Sequence, residues 1–352
     1  MEASMRYKIL GRSGLRVSEF ALGTMTFGTE WGWGSDNAAS RKVFDAYANA
    51  GGNFIDTANR YTNGTSETFV GEFIASEREH FVLATKYSLK EKNGDPNRAG
   101  NHRKNLVQSL ENSLKRLKTD YIDLYWIHAW DFSVQPEEVM RALDDQVRAG
   151  KILHVGVSDT PAWIVSRAQT IAEMRGWTPF TALQVEYNLI ERTPERDLLP
   201  MARELNIAIT PWAPLAGGLL TGKYTGEAKP HVDIAPGEQA QRLQAGQNRL
   251  AERNLQIARA VDEIAHELGR PASQVALNWL RQQPGTVIPI IGSRREAQIL
   301  ENLASSEWTL EPAHLEQLNA ASQIDLGFPH SFLDSPGVKD VLFAGIRDQI
   351  DL

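Results

Sequence analysis

Four side chains of complementary chemistry stand at or near the ends of short apolar segments. Asp56, Lys86 and His128 each end such a segment, and Tyr61 follows Asp56 by five residues in a turn-rich stretch. A free phenol has a pKa of about 10, which is too high for an efficient acid at neutral pH, and a neighbouring ammonium stabilises the phenolate and lowers that pKa. An imidazole can donate a hydrogen bond to an oxygen that becomes negative. Together, the four residue types predict proton transfer to an oxygen beside a hydride transfer.

Each of the four residues also has an ordinary structural explanation. An Asp at a strand end often caps the segment that follows, and a lone Lys is usually solvated. A lone His is more often a hydrogen-bonded structural residue, and a Tyr in a loop usually packs against its neighbours. The catalytic interpretation therefore depends on whether one fold brings all four side chains to the same place.

Eight short apolar runs alternate with amphipathic helical patterns, and this alternation indicates an α/β fold with a parallel sheet. One helical pattern, over 136–149, begins with Pro136 and ends before Gly150, which are typical start and stop signals. A count of eight favours a single closed (β/α)8 TIM barrel. The open doubly wound sheet is the main alternative, because short strands are easily miscounted. The apolar runs are 20–22, 53–55, 81–84, 121–127, 152–157, 182–185, 207–209 and 287–291.

The chemistry of such a barrel lies at the carboxyl ends of its strands. Asp56, Lys86 and His128 would then be neighbours on one rim, and a loop of the length that carries Tyr61 can bring its phenol back over that rim. The catalytic interpretation gains weight in this fold, because four unrelated accidents would have to fall at one place.

We expect a single domain over residues 1–352, with three additions to the eightfold pattern. Residues 1–17 are predicted to form an N-terminal hairpin that caps the barrel. The long polar segment 222–251 after the seventh strand is predicted to be a lid over the cofactor or substrate, because structureless loops of this length are usually functional or disordered. Residues 305–352 form a C-terminal extension.

The composition argues against several classes of protein. With 37 Lys and Arg against 44 Asp and Glu, the chain carries a formal net charge of −7, which argues against binding nucleic acid or an anionic membrane through a basic face. There is no cysteine, which excludes disulfides, a thiolate nucleophile and a thiolate metal site. The N-terminal segment lacks the apolar core of a secretory signal, and no apolar run approaches the roughly 20 residues of a membrane span. We therefore expect a cytoplasmic protein.

A series of motifs runs in order along the chain: Leu22–Met25, Gly52–Ala58 with Tyr61 downstream, Ala84–Lys86, Asp120–His128, Gly156–Ser158, Gln184–Asn188, Pro214–Tyr224 and Ile291–Arg294. This series resembles the aldo-keto reductases, in particular the bacterial and fungal members related to aryl-alcohol dehydrogenases and to potassium channel β subunits. The resemblance covers essentially the whole chain. Each motif is weak alone, but the ordered set is highly specific.

The resemblance implies a (β/α)8 barrel, in agreement with the count of apolar runs. It also implies that Asp56, Tyr61, Lys86 and His128 form a catalytic tetrad, with Tyr61 as the general acid. The implied reaction is hydride transfer from NADPH to the carbonyl carbon of an aldehyde or ketone. The product is an alcohol, and no metal ion is needed.

The resemblance further implies that NADP(H) lies extended across the barrel mouth. Ser158 and Gln184 would bind its carboxamide, the Trp212 ring would stack on the nicotinamide, and the segment 213–223 would wrap the pyrophosphate. Asp159 stands where relatives carry Asn or Arg, and its role is left open. The implied cofactor-binding residues are Gly23, Thr24, Met25, Asp56, Ser158, Gln184, Trp212, Ala213, Pro214, Leu215, Gly217, Leu219, Lys223, Gly292, Ser293, Arg294, Gln298, Glu301 and Asn302.

Arg294 matches the clamp for the 2′-phosphate that distinguishes NADP(H) from NAD(H), so NADP(H) is the expected cofactor. The physical case is independent, because backbone N–H groups at a helix N-terminus and a guanidinium together form a good phosphate site. The alternatives are that Arg294 is a solvated surface residue or that Arg295 takes its place. Gln298, Glu301 and Asn302 match the adenine-binding positions.

Aromatic residues follow several strand ends and suggest a flat, apolar substrate. We expect an aromatic or otherwise bulky carbonyl or alcohol as the small-molecule partner, and neither nucleic acid nor membrane. The alternative for Trp31 and Trp33 is that they only pack their loop. The sequence leaves open whether the protein is a monomer or a homo-oligomer. The predicted pocket residues are Phe27, Trp31, Trp33, Tyr61, Tyr87, His128 and Trp130.

Two other functions compete with the reductase. One is a cofactor-binding regulatory protein of the channel β subunit type, with weak or no catalysis. Channel β subunits carry Asn where this chain has His128, so the complete tetrad favours an enzyme. The other is a lyase that uses Lys86 as a Schiff base, which is disfavoured because an ion-paired Lys is not the neutral amine that such chemistry needs.

Overall fold

The computed structural model describes residues 5–225 and 250–351. An antiparallel hairpin comes first, with Tyr7 opposite Ser18, and eight parallel strands follow it. The strands in these ranges are β1 (Tyr7–Ile9), β2 (Arg16–Ser18), β3 (Ala21–Gly23), β4 (Phe54–Asp56), β5 (Val82–Tyr87), β6 (Ile122–Ile127), β7 (Ile152–Ser158), β8 (Phe180–Glu186), β9 (Ala208–Trp212) and β10 (Ile290–Gly292).

The eight parallel strands form a nearly closed barrel. Each of β3 to β8 pairs with the next strand in the sequence, and β10 pairs with β3. The remaining gap between β9 and β10 is bridged just before β10 begins, where Ile209 N donates to Thr286 O and Ile288 N donates to Ile209 O, both at 2.8 Å. The predicted (β/α)8 barrel with an N-terminal hairpin is confirmed, and the open doubly wound alternative is wrong because the two edge strands meet.

Helices follow the strands around the outside of the barrel. The predicted helix over 136–149 is present, with Pro136 in its first turn, and Gly269 and Pro271 separate two consecutive helices as their sequence signals predict. The helices in the described ranges are α1 (Asn37–Asn49), α2 (Thr65–Phe73), α3 (Arg103–Leu117), α4 (Pro136–Arg148), α5 (Ala162–Arg175), α6 (Leu198–Glu204), α7 (Glu252–Leu268), α8 (Ala272–Arg281), α9 (Glu296–Leu303), α10 (Pro312–Ser322), α11 (His330–Leu333) and α12 (Pro336–Leu342).

The hairpin closes the amino-terminal end of the barrel. Leu10 and Val17 are fully buried and belong to the same apolar cluster as the inward-facing strand residues. Gly11 is left-handed, with φ of 55°, and a Cβ at this position would lie 2.2 Å from Thr181 O, so only glycine fits between the hairpin and the barrel. With this end filled, the mouth at the carboxyl ends of the strands is the open side.

The structure describes the two other predicted additions to different extents. Most of the predicted lid, 222–251, falls outside the described residues. In the C-terminal extension, α10 is attached to the barrel, since Asn319 Oδ1 accepts from Trp279 Nε1 at 2.9 Å and Ser322 Oγ accepts from Arg192 Nη1 at 2.8 Å. No helix in the described part of the chain is long and apolar enough to cross a membrane.

Candidate active site

The three strand-end side chains predicted for catalysis face the interior of the barrel at its mouth. Each of Asp56, Lys86 and His128 comes two positions after a residue of the apolar cluster inside the barrel. Successive side chains of a strand face opposite sides of the sheet, so residues two positions apart face the same side. The period of the strands therefore brings the carboxylate, the ammonium and the imidazole to one rim.

The Lys86 ammonium is the centre of this site. Its Nζ donates hydrogen bonds to Asp56 Oδ2 at 2.5 Å, to the Tyr61 hydroxyl at 2.9 Å and to the backbone oxygen of Thr57 at 2.9 Å. Asp56 is 2% exposed and Lys86 is 0% exposed. Salt screens such a buried ion pair only weakly, so the ammonium keeps both its charge and its position beside the phenol.

Tyr61 reaches the rim from a short turn, Tyr61–Gly64, that follows β4. The next two residues, Thr62 and Asn63, are left-handed, with φ of 45° and 57°. Such backbone is sparsely populated for residues other than glycine and persists only where the surroundings fix it. Thr62 Oγ1 donates to Phe27 O at 2.5 Å and anchors the turn to the loop after β3. The phenol is thereby held over the mouth.

The charges around the site act on the pKa values of Lys86 and Tyr61. Burial alone would lower the pKa of Lys86, but the Asp56 carboxylate and the Tyr61 phenol outweigh it, and the pKa is raised. Burial raises the pKa of Tyr61, the Lys86 ammonium offsets part of this rise, and Asp56 adds to it. The ammonium acts in the predicted direction, but the predicted net lowering of the phenol pKa does not occur because burial dominates. The phenol stays protonated at neutral pH.

The His128 ring meets Tyr61 edge-on, with the ring centres 5.8 Å apart and the planes at 85°. Burial, with a smaller contribution from the Lys86 ammonium, lowers the pKa of His128 well below its ordinary value of 6.5. Its Nδ1 is buried and has no hydrogen-bond partner among the described residues. A neutral imidazole carries one N–H, so His128 can donate one hydrogen bond to an oxygen at the mouth.

The next three strands around the barrel carry the residues predicted to bind the nicotinamide. The Ser158 hydroxyl at the end of β7 is buried and lacks a partner within residues 5–225 and 250–351, so its hydrogen-bonding capacity is unused. Gln184 on β8 donates from Nε2 to Asp56 Oδ1 at 3.0 Å. Trp212 at the end of β9 is half-buried. An orphaned hydroxyl, an amide and a half-buried aromatic ring fit a flat ring that carries a carboxamide.

The aromatic residues predicted to line a substrate pocket divide into two groups. Trp31 meets Tyr61 edge-on at 6.5 Å between ring centres, and Trp33 lies 5.5 Å from Trp31. Both are half-buried, and Trp130 is 9% exposed. Trp31 and Trp33 therefore accompany the tetrad, whereas Trp130 belongs to the same core cluster as Phe27 and Tyr87.

Phe27 and Tyr87 have no exposed surface and lie in the core outside the barrel strands. The Tyr87 ring stacks on Tyr125 at 5.4 Å, and its hydroxyl donates to Asn101 O at 3.2 Å. Because Tyr87 directly follows Lys86 on β5, it faces the opposite side of the sheet. We leave both residues out of the pocket that we propose below.

Comparison with known proteins identifies the family. A sequence profile of the aldo/keto reductase family matches residues 19–323. This chain belongs to that family. It is 39% identical over 333 residues to an aryl-alcohol dehydrogenase (NADP+) of Phanerodontia chrysosporium, covering 90% of this chain and 86% of the relative. An aryl-alcohol dehydrogenase of Pestalotiopsis microspora is 34% identical over 343 residues (95% and 86% covered). A norsolorinic acid reductase of Aspergillus flavus is 35% identical over 338 residues (93% and 84% covered).

As an aldo/keto reductase, the protein is an oxidoreductase. The remaining residues that were predicted to bind the cofactor can now be located around the mouth. After β3, Thr24 donates to Asp56 O from its backbone N at 3.0 Å and from its Oγ1 at 3.1 Å. Of its two neighbours, Met25 is 38% exposed and Gly23 is half-buried. Thr24 therefore braces the strand that carries the Asp56 carboxylate, and its hydroxyl hydrogen is already used in this bond.

The segment after β9 has an irregular backbone that exposes some of its predicted residues. Ala213 is left-handed with φ of 49°, and Gly217 follows in the same conformation with φ of 69°. Gly217 and Lys223 are exposed, while Pro214 and Leu219 are buried and could contribute backbone groups only. Leu215 and Ala213 are half-buried.

Arg294 lies just before α9, at the rim next to Trp33. Its Nη1 donates to Trp33 O at 3.4 Å, and its backbone N donates to Gln298 Oε1 at 3.3 Å. Gly292 is exposed at the same place, and Ser293 is buried.

The three residues predicted to bind the adenine differ in how exposed they are. Gln298 is half-buried, and Glu301 is exposed and accepts from Ser273 Oγ at 2.6 Å. Asn302 is only 5% exposed, so its side chain lies on the inner face of α9. In the described part of the chain, His, Asp and Glu side chains form no group of three or more that could hold a metal ion.

The structure also shows two contacts that the sequence did not reveal. Gln184 was predicted to bind the cofactor, and its amide also donates to the Asp56 carboxylate. Asp159, whose role was open, accepts a hydrogen bond from Trp212 Nε1 at 3.1 Å through its Oδ1. The strand period could have placed Gln184 beside Asp56, whereas the contact of Asp159 depends on a left-handed backbone that the sequence does not signal.

Proposed function

We propose that this aldo/keto reductase reduces an aldehyde or ketone to the alcohol with NADPH, and that Tyr61 is the general acid. The observation that carries the proposal is the hydrogen-bonded chain in which Lys86 Nζ joins Asp56 and the Tyr61 hydroxyl, with the neutral His128 ring beside the phenol. This arrangement provides a proton and a source of stabilisation for negative charge at one point of the mouth.

When bound, NADPH supplies the hydride that the carbonyl carbon accepts. The N–H of His128 would orient the carbonyl oxygen, and the Tyr61 hydroxyl would protonate that oxygen. The phenolate left behind would be stabilised by the Lys86 ammonium at 2.9 Å, and Asp56 would hold that ammonium charged and in place. Because its pKa is raised, the Tyr61 phenol is protonated at neutral pH, and a protonated phenol is the form that can give a proton to the carbonyl oxygen.

The residues proposed to hold the cofactor surround the tetrad. Ser158 and Gln184 would bind the carboxamide and Trp212 would stack on the nicotinamide. The chemical fit rests on the unpartnered Ser158 hydroxyl and the half-buried indole. Arg294 beside the start of α9 would bind the 2′-phosphate, which favours NADP(H) over NAD(H). This choice is consistent with the NADP+ named for the Phanerodontia chrysosporium relative.

For the substrate, we propose an aromatic or similarly bulky carbonyl compound. Trp31, Trp33 and Trp130 would supply the apolar walls, and edge-to-face contact between Trp31 and Tyr61 places one wall against the acid. Two of the relatives described above are named for aryl alcohols, in keeping with such walls.

The test is to follow NADPH absorbance with a panel of aromatic and aliphatic aldehydes, ketones and quinones, with NADH in parallel. We expect turnover with NADPH and aromatic carbonyls. Turnover of small aliphatic aldehydes alone would contradict the substrate proposal. Tight NADPH binding without turnover of any member would favour the regulatory alternative over the enzyme.

A further inference from the structure

Asp159 occupies an unusual position at the barrel mouth. It directly follows β7 and has a left-handed backbone, with φ of 42°. Asp is one of the few residues other than glycine that adopts this conformation readily, because its short polar side chain can hydrogen-bond locally. The conformation turns the chain sharply after Ser158 and directs the Asp159 carboxylate across the mouth.

Three parts of the mouth meet at this one residue. Its Oδ1 accepts from Trp212 Nε1 at 3.1 Å, its backbone oxygen accepts from Trp130 N at 3.3 Å, and its backbone N donates to Gln184 O at 3.3 Å. The bond from Trp212 Nε1 depends on the Asp159 side chain, and it fixes the rotation of an indole that is otherwise only half-buried. The residue after Trp212, Ala213, also has a left-handed backbone, with φ of 49°.

The Asp159 carboxylate is close enough to act electrically on the tetrad. Its negative charge is among the causes that raise the pKa of Tyr61, after burial and Asp56. Any ring that stacks on Trp212 therefore lies in the field of this carboxylate. The nicotinamide ring is cationic in NADP+ and neutral in NADPH, so the field distinguishes the two forms.

We propose that Asp159 is a positioning residue that locks the Trp212 indole for stacking, and that its charge favours NADP+ over NADPH at this site. The inference rests on the proposed function, in which Trp212 stacks on the nicotinamide. The hydrogen bond and the charge are separate contributions, and two substitutions separate them. Asp159→Asn keeps an acceptor oxygen and tolerates the left-handed backbone but removes the charge. Trp212→Phe keeps an aromatic ring and the charge but removes the indole N–H.

The experiment measures the dissociation constants of NADP+ and of NADPH by fluorescence titration for the wild type and both variants. For Asp159→Asn we expect NADP+ to bind roughly three- to tenfold more weakly relative to NADPH, an effect kept modest by solvent screening of an exposed carboxylate. For Trp212→Phe we expect both nucleotides to bind more weakly by similar factors. Asp120→Asn, an exposed site just before β6 and thus at the opposite end of the barrel, is the matched control and should change neither constant.

A second readout needs no cofactor. The indole N–H resonance of Trp212 in the free protein, assigned by its disappearance in Trp212→Phe, should move when Asp159 is replaced by Asn, because the acceptor is no longer charged. The inference is overturned if this resonance does not move in Asp159→Asn, or if the ratio of NADP+ to NADPH affinity does not change. In that case, NADPH binding by the wild type would still uphold the proposed function. Failure of the wild type to bind either nucleotide would overturn the proposed function and the inference with it.

Discussion

Replacement of Lys86 by methionine separates the structural and the catalytic contributions of the ammonium. The substitution removes the donor that reaches Asp56, Tyr61 and the backbone oxygen of Thr57. Asp56, at 2% exposed, then lacks its counter-charge. Removing one partner of a buried ion pair costs about 3–5 kcal/mol. Gln184 Nε2 still donates to Asp56 Oδ1 at 3.0 Å, so we expect a loss at the lower end, about 3 kcal/mol.

Equilibrium unfolding in urea measures this loss, and a double variant identifies its cause. In Asp56→Asn/Lys86→Met a neutral amide replaces the orphaned carboxylate, so the double variant should be more stable than Lys86→Met by about 1–2 kcal/mol. Carbonyl reduction should be lost in both variants, because neither can stabilise the phenolate of Tyr61. The reasoning is refuted if Lys86→Met loses less than about 1 kcal/mol, or if the double variant is no more stable than the single one.

Four further predictions address other parts of the structure. Tyr61→Phe should lower kcat for carbonyl reduction by about 10²–10⁴-fold or more with NADPH affinity nearly unchanged, and wild-type turnover would exclude Tyr61 as the acid. Arg294→Ala should weaken NADPH by about 10- to 100-fold and NADH much less, as titration of both would show. Because burial lowers the pKa of His128 well below 6.5, kcat/KM for reduction should stay flat as pH falls through 6.5, and an acid limb centred there would contradict this. Gly156→Ala should destabilise the fold by about 1–3 kcal/mol in urea, because its Cβ would lie 2.3 Å from the Trp126 ring, and an unchanged midpoint would contradict it.

Much of the catalytic rim could be predicted because strand period and strand ends are properties of the sequence. Asp56, Lys86 and His128 end apolar runs, and parallel strands bring their ends to one rim. The same period places the side chain of Tyr87, which directly follows Lys86, in the outer core. The alternation along β5 is readable from the sequence and predicts this orientation.

Other features required the three-dimensional structure. The net effect on the Tyr61 pKa depends on how much burial opposes Lys86, and burial is not readable from a motif. The last apolar run, 287–291, did not reveal that β10 begins only at Ile290 while the preceding residues bond to Ile209 and bridge the barrel. The bond from Trp212 to Asp159 depends on a local left-handed backbone.

The central claim is that hydride passes directly to a carbonyl carbon while Tyr61 protonates the oxygen. The most direct measurement uses NADPH that carries deuterium at its transferable position and determines by mass spectrometry where the label ends in the product. The account predicts an aromatic alcohol with deuterium on the carbinol carbon from the wild type and almost none from Tyr61→Phe. An unlabelled alcohol from the wild type, or equal labelled product from Tyr61→Phe, would contradict it.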